Sequence, residues 1–263
     1  MGTLVAAMAA PHAPQLVAMP ETEDPEQVRQ VHAALGTLRQ LLAAARPDVL
    51  LVIGGDHIEG FFLNAVPALG IYVGGSCAGS FSIYTYRYDV HEELARFLLE
   101  ESLNAGFDVL YSQELPLDYA FFVPLHFVMP SPPLPIVPLF VNVYLPPQPP
   151  PWRCYQWGQT LATLLARRPE RVALLASGGL SHYPGTPRYA QPDYAFDRWL
   201  LHLLEVGRGS ELARLSSAQL DAAGNVETRT WITLLGAVGD RPARVLTYQP
   251  SWHHGYAVVY WPL

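Results

Sequence analysis

Short apolar runs alternate with longer segments of helical periodicity in this sequence, and that alternation restricts the possible folds most strongly. The runs 48–55 (DVLLVIGG) and 171–177 (RVALLAS) carry a charge only at their first residue and are rich in branched aliphatic side chains. Such runs are typical of strands buried on both faces of a parallel sheet. The segment 25–45 places valines and leucines on one helical stripe. Strands that alternate with helices predict an α/β fold, whose mixed, largely parallel central sheet has helices on both faces.

The same alternation predicts the other elements. Further strands are expected at 3–9, 69–73, 107–111, 136–143, 244–249 and 255–260, and further helices at 90–105, 153–167, 193–206, 209–222 and 226–238. The proline-rich stretch 130–151 contains one of these strands, so we interpret it as a surface crossing rather than a linker. A single domain over residues 1–263 is therefore expected.

Composition and charge argue against several classes of protein. Half of the 263 residues are hydrophobic and the net charge is −7, which favours a folded core and disfavours nucleic-acid binding, since phosphates attract clustered Lys and Arg. No apolar run is long enough to cross a membrane without Pro or charge. The apolar N-terminus has no basic residue before Arg29, unlike a signal peptide. Cys77 and Cys154 fit neither a disulfide framework nor a CxxC metal site. From these features together we expect a cytoplasmic protein.

Three of the strand-like runs are each followed by a histidine, and these histidines are the candidate functional residues. They are His12, His57 and His182. Parallel strands lie roughly 5 Å apart, and ligands bind beyond their carboxyl ends, so the three side chains can converge. A single histidine after a strand is more often a cap or a surface residue. The glycine pairs before His57 and His182 permit close backbone approach and favour a shared site.

Two histidines need at least one further ligand to hold a metal ion. Two histidines and one carboxylate form the facial ligand set of non-haem iron(II) oxygenases, and zinc sites use the same residue types. Glu227 begins the predicted helix 226–238, where its carboxylate can point into the crevice. A glutamate stabilised by the helix dipole is the plainer interpretation of that position. Spacing alone does not select one carboxylate among many.

Six segments, in order over nearly the whole chain, resemble the class III extradiol dioxygenases, and most closely the beta-subunit family of protocatechuate 4,5-dioxygenase. They are APHAP (10–14), GGDHIEGF (54–61), LPLDYAFFVPL (115–125), VNVYLPPQPPPWRC (141–154), SGGLSHYPGTPR (177–188) and AAGNVETRTWITLLGAVGD (222–240). The resemblance implies that His12, His57 and Glu227 hold Fe(II) and that His182 is the acid–base residue. It implies insertion of both atoms of O2 into a catechol-type ring. It also implies a homo-oligomer, with or without a small accessory subunit.

One position departs from the family pattern. The family usually has a histidine that touches the substrate where this chain has Tyr119. A tyrosine can donate a hydrogen bond but does not titrate near neutral pH. Relatives that act on 2-aminophenols look similar in carrying tyrosine here, so an aminophenol is an alternative to a catechol. Tyr119 as a plain core residue is the remaining interpretation.

Other polar residues near these segments have two interpretations each. Arg188 can bind a substrate carboxylate in a bidentate pair or form a structural salt bridge. Asp56 can orient His57 or cap a turn. His253 and His254 lie in the turn before the last predicted strand, where a surface role is expected.

Two functional alternatives remain open. The same fold with zinc would be a hydrolase, in which His182 assists a metal-bound water. Some proteins of this superfamily resemble the enzymes in fold but are non-catalytic binding proteins. The presence of all three expected metal ligands together with His182 argues against that alternative.

Overall fold

The computed structural model describes residues 3–114 and 116–263. Met1, Gly2 and Leu115, the first residue of the LPLDYAFFVPL segment, lie outside the described residues. The strands are β1 (Thr3–Ala10), β2 (Val49–Gly54), β3 (Leu69–Tyr72), β4 (Ser76–Phe81), β5 (Tyr84–Asp89), β6 (Leu110–Ser112), β7 (Ile136–Val141), β8 (Arg171–Ser177), β9 (Arg244–Pro250) and β10 (Gly255–Trp261). The α-helices are α1 (Gln15–Ala18), α2 (Pro25–Ala45), α3 (Glu92–Asn104), α4 (Tyr119–Val128), α5 (Pro151–Leu165), α6 (Tyr194–Glu205), α7 (Ser217–Ala222) and α8 (Thr228–Val238), and a 3₁₀ helix covers Gly209–Arg214.

Eight strands form one mixed sheet in the order β6-β3-β7-β2-β8-β1-β10-β9. The central neighbours β7, β2, β8 and β1 are all parallel, and every residue of β2 and β7 is buried. Helices α2 and α4 pack on one face, and α3, α5 and α8 pack on the other. The predicted α/β class with a mixed, largely parallel sheet is therefore confirmed. The extent of the domain over residues 1–263 stays a prediction.

The register of the central strands determines where the site lies. Ala10 of β1 is opposite Ser177 of β8, and Gly54 of β2 is opposite Phe140 of β7. The carboxyl ends of these four strands are therefore level along one edge of the sheet. Strand β10 is antiparallel to β1, with its Val259 opposite Ala9, so β10 begins beyond this same edge.

Local sequence signals explain the boundaries of α2. The Asp24 carboxylate accepts hydrogen bonds from the backbone N–H groups of Glu26 and Gln27 at 2.8 and 3.1 Å, and Pro25 occupies the first helical position. Both features favour a helix start. The stripe of valines and leucines predicted for this helix is buried, which places α2 against the sheet as expected.

Several elements differ from the sequence-based expectation, and helices α1 and α4 lie outside the predicted element ranges. The hairpin β4–β5 was not predicted, because its strands mix small, polar and aromatic residues without a clear alternation. It packs on α4, where a Cβ atom at Gly79 would lie 2.2 Å from the Phe122 ring. The helix expected at 209–222 is divided, because Ser216 forms a capping box with Gln219 and starts a new helix. No helix within residues 3–114 and 116–263 is long and apolar enough to span a membrane.

Candidate metal centre

Neighbouring strands bring three predicted residues to one point. His12 follows β1, His57 follows β2, and Glu227 directly precedes α8, which packs against β8. The candidate ligand atoms of these three side chains all lie within 4.8 Å of one another. His12 and Glu227 are buried, and His57 is partly buried. The three residues that the sequence singled out as metal ligands are therefore adjacent in the structure.

Hydrogen bonds on the protein side fix the tautomer of His12. The Ser177 hydroxyl donates to the backbone carbonyl of Ala120, so Ser177 Oγ must accept the bond that joins it to His12 Nδ1 at 2.9 Å. Nδ1 therefore carries a proton, and Nε2 is the nitrogen that faces the centre. That Nε2 is 3.1 Å from Glu227 Oε1. An imidazole nitrogen and a carboxylate oxygen this close need a cation between them, either a proton or a metal ion.

Asp118 fixes His57 in the same way. Its Oδ2 accepts from the backbone N–H of His57 at 2.6 Å and from Nδ1 at 2.8 Å, and its Oδ1 caps α4 through Ala120 N–H. A carboxylate can only accept, so Nδ1 carries a proton and Nε2 faces the centre. Asp56 instead caps the turn that follows it, by accepting from the N–H groups of Ile58, Gly60 and Phe61.

Glu227 occupies the N-cap position of α8 and is buried. Its Oε2 accepts from the Gly179 N–H, and its Oε1 lies 3.1 Å from both His12 Nε2 and His182 Nε2. Burial by itself would raise the pKa of Glu227, but His12 and His182 outweigh it and hold the pKa well below the usual range. An ionised carboxylate beside two imidazole nitrogens fits a divalent metal ion.

His182 lies beside the ligand set rather than within it. Its Nδ1 is 2.8 Å from the Leu180 carbonyl, which can only accept, so Nδ1 carries a proton and Nε2 is the nitrogen that faces Glu227 and the centre. Burial acts to lower the pKa of His182, but the charge of Glu227 and its hydrogen bond raise it above the ordinary value. Ser181 supports the local backbone by donating a hydrogen bond to the Ala223 carbonyl.

Two tyrosines border the ligands. The ring of Tyr119, at the start of α4, stacks on His57 with centroids 4.1 Å apart. Burial and the charge of Asp118 raise the pKa of Tyr119, so its hydroxyl keeps its proton. Tyr144 follows β7, and no separate pattern within the VNVYLPPQPPPWRC segment pointed to it. Its hydroxyl is 2.7 Å from His57 Nε2 and donates to Glu227 Oε1.

The ligands open onto a cavity of about 150 Å³. A cavity of this volume has room for a single six-membered ring. Its lining residues are His12, Ala13, Pro14, Gln15, His57, Tyr119, Tyr144, His182, Pro184, Tyr189, Glu227, His253 and His254.

The surface role expected for His253 and His254 is wrong. Their exposed fractions are 2% and 5%, because β10 begins beyond the sheet edge and carries the preceding turn over the cavity. His253 Nε2 bonds to the buried carboxylate of Glu23 at 3.0 Å. His254 stacks on His182 with centroids 4.2 Å apart. The sequence signal that could have located them is the return of an antiparallel last strand to the same edge.

Arg188 lies apart from the residues that line the cavity. Its guanidinium stacks on the Tyr183 ring at 3.9 Å and donates to the Ala222 carbonyl at 3.0 Å. The side chain is exposed. These contacts hold the segment after His182 against the end of α7.

The chain matches known proteins over most of its length. Residues 6–259 match the family described as the catalytic LigB subunit of aromatic ring-opening dioxygenase. A 2,3-dihydroxyphenylpropionate/2,3-dihydroxicinnamic acid 1,2-dioxygenase of Klebsiella pneumoniae (strain 342) is 31% identical over 173 residues, which are 65% of this chain and 55% of that relative. The chain thus spans about half the length of this relative.

Two further proteins extend the comparison. An Escherichia coli (strain K12 / DH10B) protein of the same name is 26% identical over 265 residues, covering 82% of this chain and 84% of that protein. The crystal structure of an uncharacterized protein from Escherichia coli K12 superposes with a TM-score of 0.67 and 19% identity, over 97% of this chain and 99% of the other. That likeness concerns the fold. By the match over residues 6–259, the chain belongs to the family of catalytic LigB subunits of aromatic ring-opening dioxygenases.

Proposed function

We propose that this chain is an extradiol dioxygenase that opens a catechol-type ring, with Fe(II) held by His12, His57 and Glu227. The observation that carries the proposal is the ligand geometry: two Nε2 lone pairs and one ionised carboxylate face a single point. The curated relatives, which are 2,3-dihydroxyphenylpropionate dioxygenases by name, support a substrate with two adjacent hydroxyls. When bound, Fe(II) supplies a common site for substrate and O2 and electron transfer between them.

The protein's own residues provide the proton transfers. His182 has Nδ1–H fixed on the Leu180 carbonyl, so it takes a proton from a ring hydroxyl at Nε2 and later returns it there. Tyr119 keeps its hydroxyl protonated and donates a hydrogen bond toward the bound ring. The buried side chains around the centre exclude water while the ring reacts. Both atoms of O2 end in the ring-opened product.

A 2-aminophenol is the second candidate substrate, and Tyr119 is the residue that favours it. A neutral phenol beside the ring can donate to oxygen or accept from an amino group. The expected role of Arg188 in binding a substrate carboxylate stays a prediction. Homo-oligomerisation, a small accessory subunit and a cytoplasmic location also stay predictions.

Oxygen consumption tests the proposal directly. Protein loaded anaerobically with Fe(II) should take up O2 when given catechol, protocatechuate, gallate, 2,3-dihydroxyphenylpropionate or 2-aminophenol, and release a yellow ring-opened product. His182→Ala should lower turnover by about 10²–10⁴-fold, the usual contribution of a general acid–base residue, with the iron content unchanged. Protein that binds iron but takes up no O2 across the panel would contradict the proposal. Zinc-loaded protein is the control and should take up no O2, because zinc does not exchange electrons. Hydrolysis of a substrate by the zinc-loaded protein would favour the hydrolase alternative.

A further inference from the structure

The hydroxyl of Tyr144 lies between two of the candidate metal ligands. It is 2.7 Å from His57 Nε2 and donates to Glu227 Oε1. Because Asp118 engages Nδ1 of His57, Nε2 is the nitrogen left for a metal ion. The phenol therefore contacts the same two atoms that the metal ion would use.

We propose that Tyr144 gates the metal site: its hydroxyl closes the metal-free centre and has to rotate away when a metal ion binds. This inference rests on the metal site of the proposed function. The phenol has one proton, which it can donate to Glu227 Oε1 or to the single lone pair of His57 Nε2. A carboxylate has further lone pairs and can accept from the phenol while it coordinates a metal ion, but the lone pair of Nε2 cannot serve both. The close contact of Tyr144 with His57 Nε2 therefore stabilises only the metal-free protein and lowers its affinity for the metal.

The surroundings confine the movement to the side chain. The backbone near Tyr144 is held by Asn142, whose side chain accepts from Leu145 N–H at 3.0 Å and donates to the Leu145 carbonyl at 2.6 Å. Gln148 donates to the Tyr144 carbonyl at 3.3 Å. The phenol borders the 150 Å³ cavity, so a side-chain rotation into that space can release the ligands without moving the loop.

Removal of the hydroxyl tests the gate. Tyr144→Phe should bind Co(II) about tenfold more tightly than the wild type, as measured by anaerobic titration of the cobalt absorption against a competing chelator. Tyr119→Phe is the matched control, because its ring stacks on the same histidine and the same atom is removed. Its cobalt affinity should stay within about twofold of the wild type.

The outcomes separate the gate from the proposed function. Wild-type protein that binds no Co(II) would remove the metal site itself and thereby both proposals. Wild-type binding with an equal or weaker affinity in Tyr144→Phe would overturn the gate alone, since a weaker affinity would make Tyr144 a ligand.

Crystal structures of the wild type with and without Zn(II) give an answer even where the variant does not fold. The gate predicts that Tyr144 Oη leaves His57 Nε2 in the zinc form. An oxygen that keeps both contacts, or an iron–phenolate absorption band in oxidised protein, would contradict it.

Discussion

Side chains that form hydrogen bonds with the two candidate ligand histidines determine which nitrogen of each imidazole ring faces the cavity. Ser177 donates to a backbone carbonyl and so can only accept from His12, while Asp118 can only accept from His57. Each bond places the imidazole proton on Nδ1 and leaves Nε2 for the metal. If the two histidines bind a metal ion as proposed, Ser177 and Asp118 orient them for it without touching the ion.

Asp118→Asn tests this role. The amide can donate to His57 Nδ1, which would move the imidazole proton to Nε2 and block metal binding. We expect the Kd for Co(II) or Fe(II) to rise about 10–100-fold, while helix α4 keeps its cap, since Asn is also a good N-cap residue. Asp56→Asn is the control, because the Asp56 carboxylate bonds to turn N–H groups. A Kd for Asp118→Asn within twofold of the wild type would show that Asp118 does not orient His57.

The buried carboxylate of Asp197 is expected to affect the free energy of unfolding rather than metal binding. Burial raises the pKa of Asp197 to about 6, although it accepts from Ser181 N–H, Asn225 and Tyr248. A pKa above the ordinary aspartate value of 3.8 means that the folded protein binds the proton more tightly than the unfolded chain. The stabilising contribution is therefore complete below about pH 4 and is lost as the pH rises through 6.

Asp197→Asn removes this pH dependence. The free energy of unfolding of the wild type, minus that of the variant, should fall by about 3 kcal/mol between pH 3 and pH 7. Urea unfolding at a series of pH values measures it. A difference that is independent of pH, or one that grows as the pH rises, would contradict the assigned pKa.

At the scale of elements, the glycines after β8 permit a close approach between the strand end and its neighbours. A Cβ atom at Gly179 would lie 1.7 Å from His254 Nε2, and one at Gly178 would lie 3.1 Å from Glu227 Cβ. The Gly178–Gly179 pair, where the sequence predicted close backbone approach, therefore lies between the start of α8 and the turn before β10. Because these two residues have no side chain, α8 and the turn come close enough for Glu227 and His182 to reach the same centre.

Gly179→Ala should displace the His254 ring and lower the free energy of unfolding by about 1–3 kcal/mol, the usual cost of overpacking. The kcat should also fall, because His254 stacks on His182. Gly36→Ala in α2 is the matched control. A Cβ there meets nothing within 4 Å, and alanine should stabilise the helix by about 0.5–1 kcal/mol. Equal changes in the two variants, measured by urea unfolding, would refute the packing argument.

At the scale of the whole molecule, the candidate metal ligands come from distant parts of the chain. His12 follows β1, His57 follows β2 and Glu227 begins α8, so one ion would cross-link three elements of the core. A ligand that binds only the folded protein stabilises it by mass action. The metal ion should therefore raise the thermal stability of the entire chain.

Metal removal tests this coupling. With free Co(II) at one hundred times its Kd, the stabilisation is about 2.7 kcal/mol, which corresponds to a rise in Tm of about 5 °C for a chain of this size. Treatment with a chelator should reverse the shift. Glu227→Gln should lose it, and a shift that persists in Glu227→Gln would place the stabilising ion elsewhere.

Local pattern was sufficient for the fold class and for the two histidines among the candidate metal ligands. Buried-strand runs followed by histidines predicted a parallel sheet with His12 and His57 at its carboxyl edge, because the direction of parallel strands fixes where their ends lie. Glu227 depended on the resemblance to a family, since a glutamate at a helix start has an ordinary electrostatic explanation. The hairpin β4–β5 escaped prediction because its strands lack a clear alternation of polar and apolar residues.

Only the tertiary structure decided which other side chains border the metal centre. Asp118 is more than 60 residues from His57 in the sequence, and Tyr144 is more than 60 residues from Glu227. No local sequence pattern relates residues this far apart. His253 and His254 reach the cavity because β10 runs antiparallel and begins beyond the edge where β1 ends. The sequence determines the order of elements and the chemistry at their ends. Strand register and direction determine which of those ends meet.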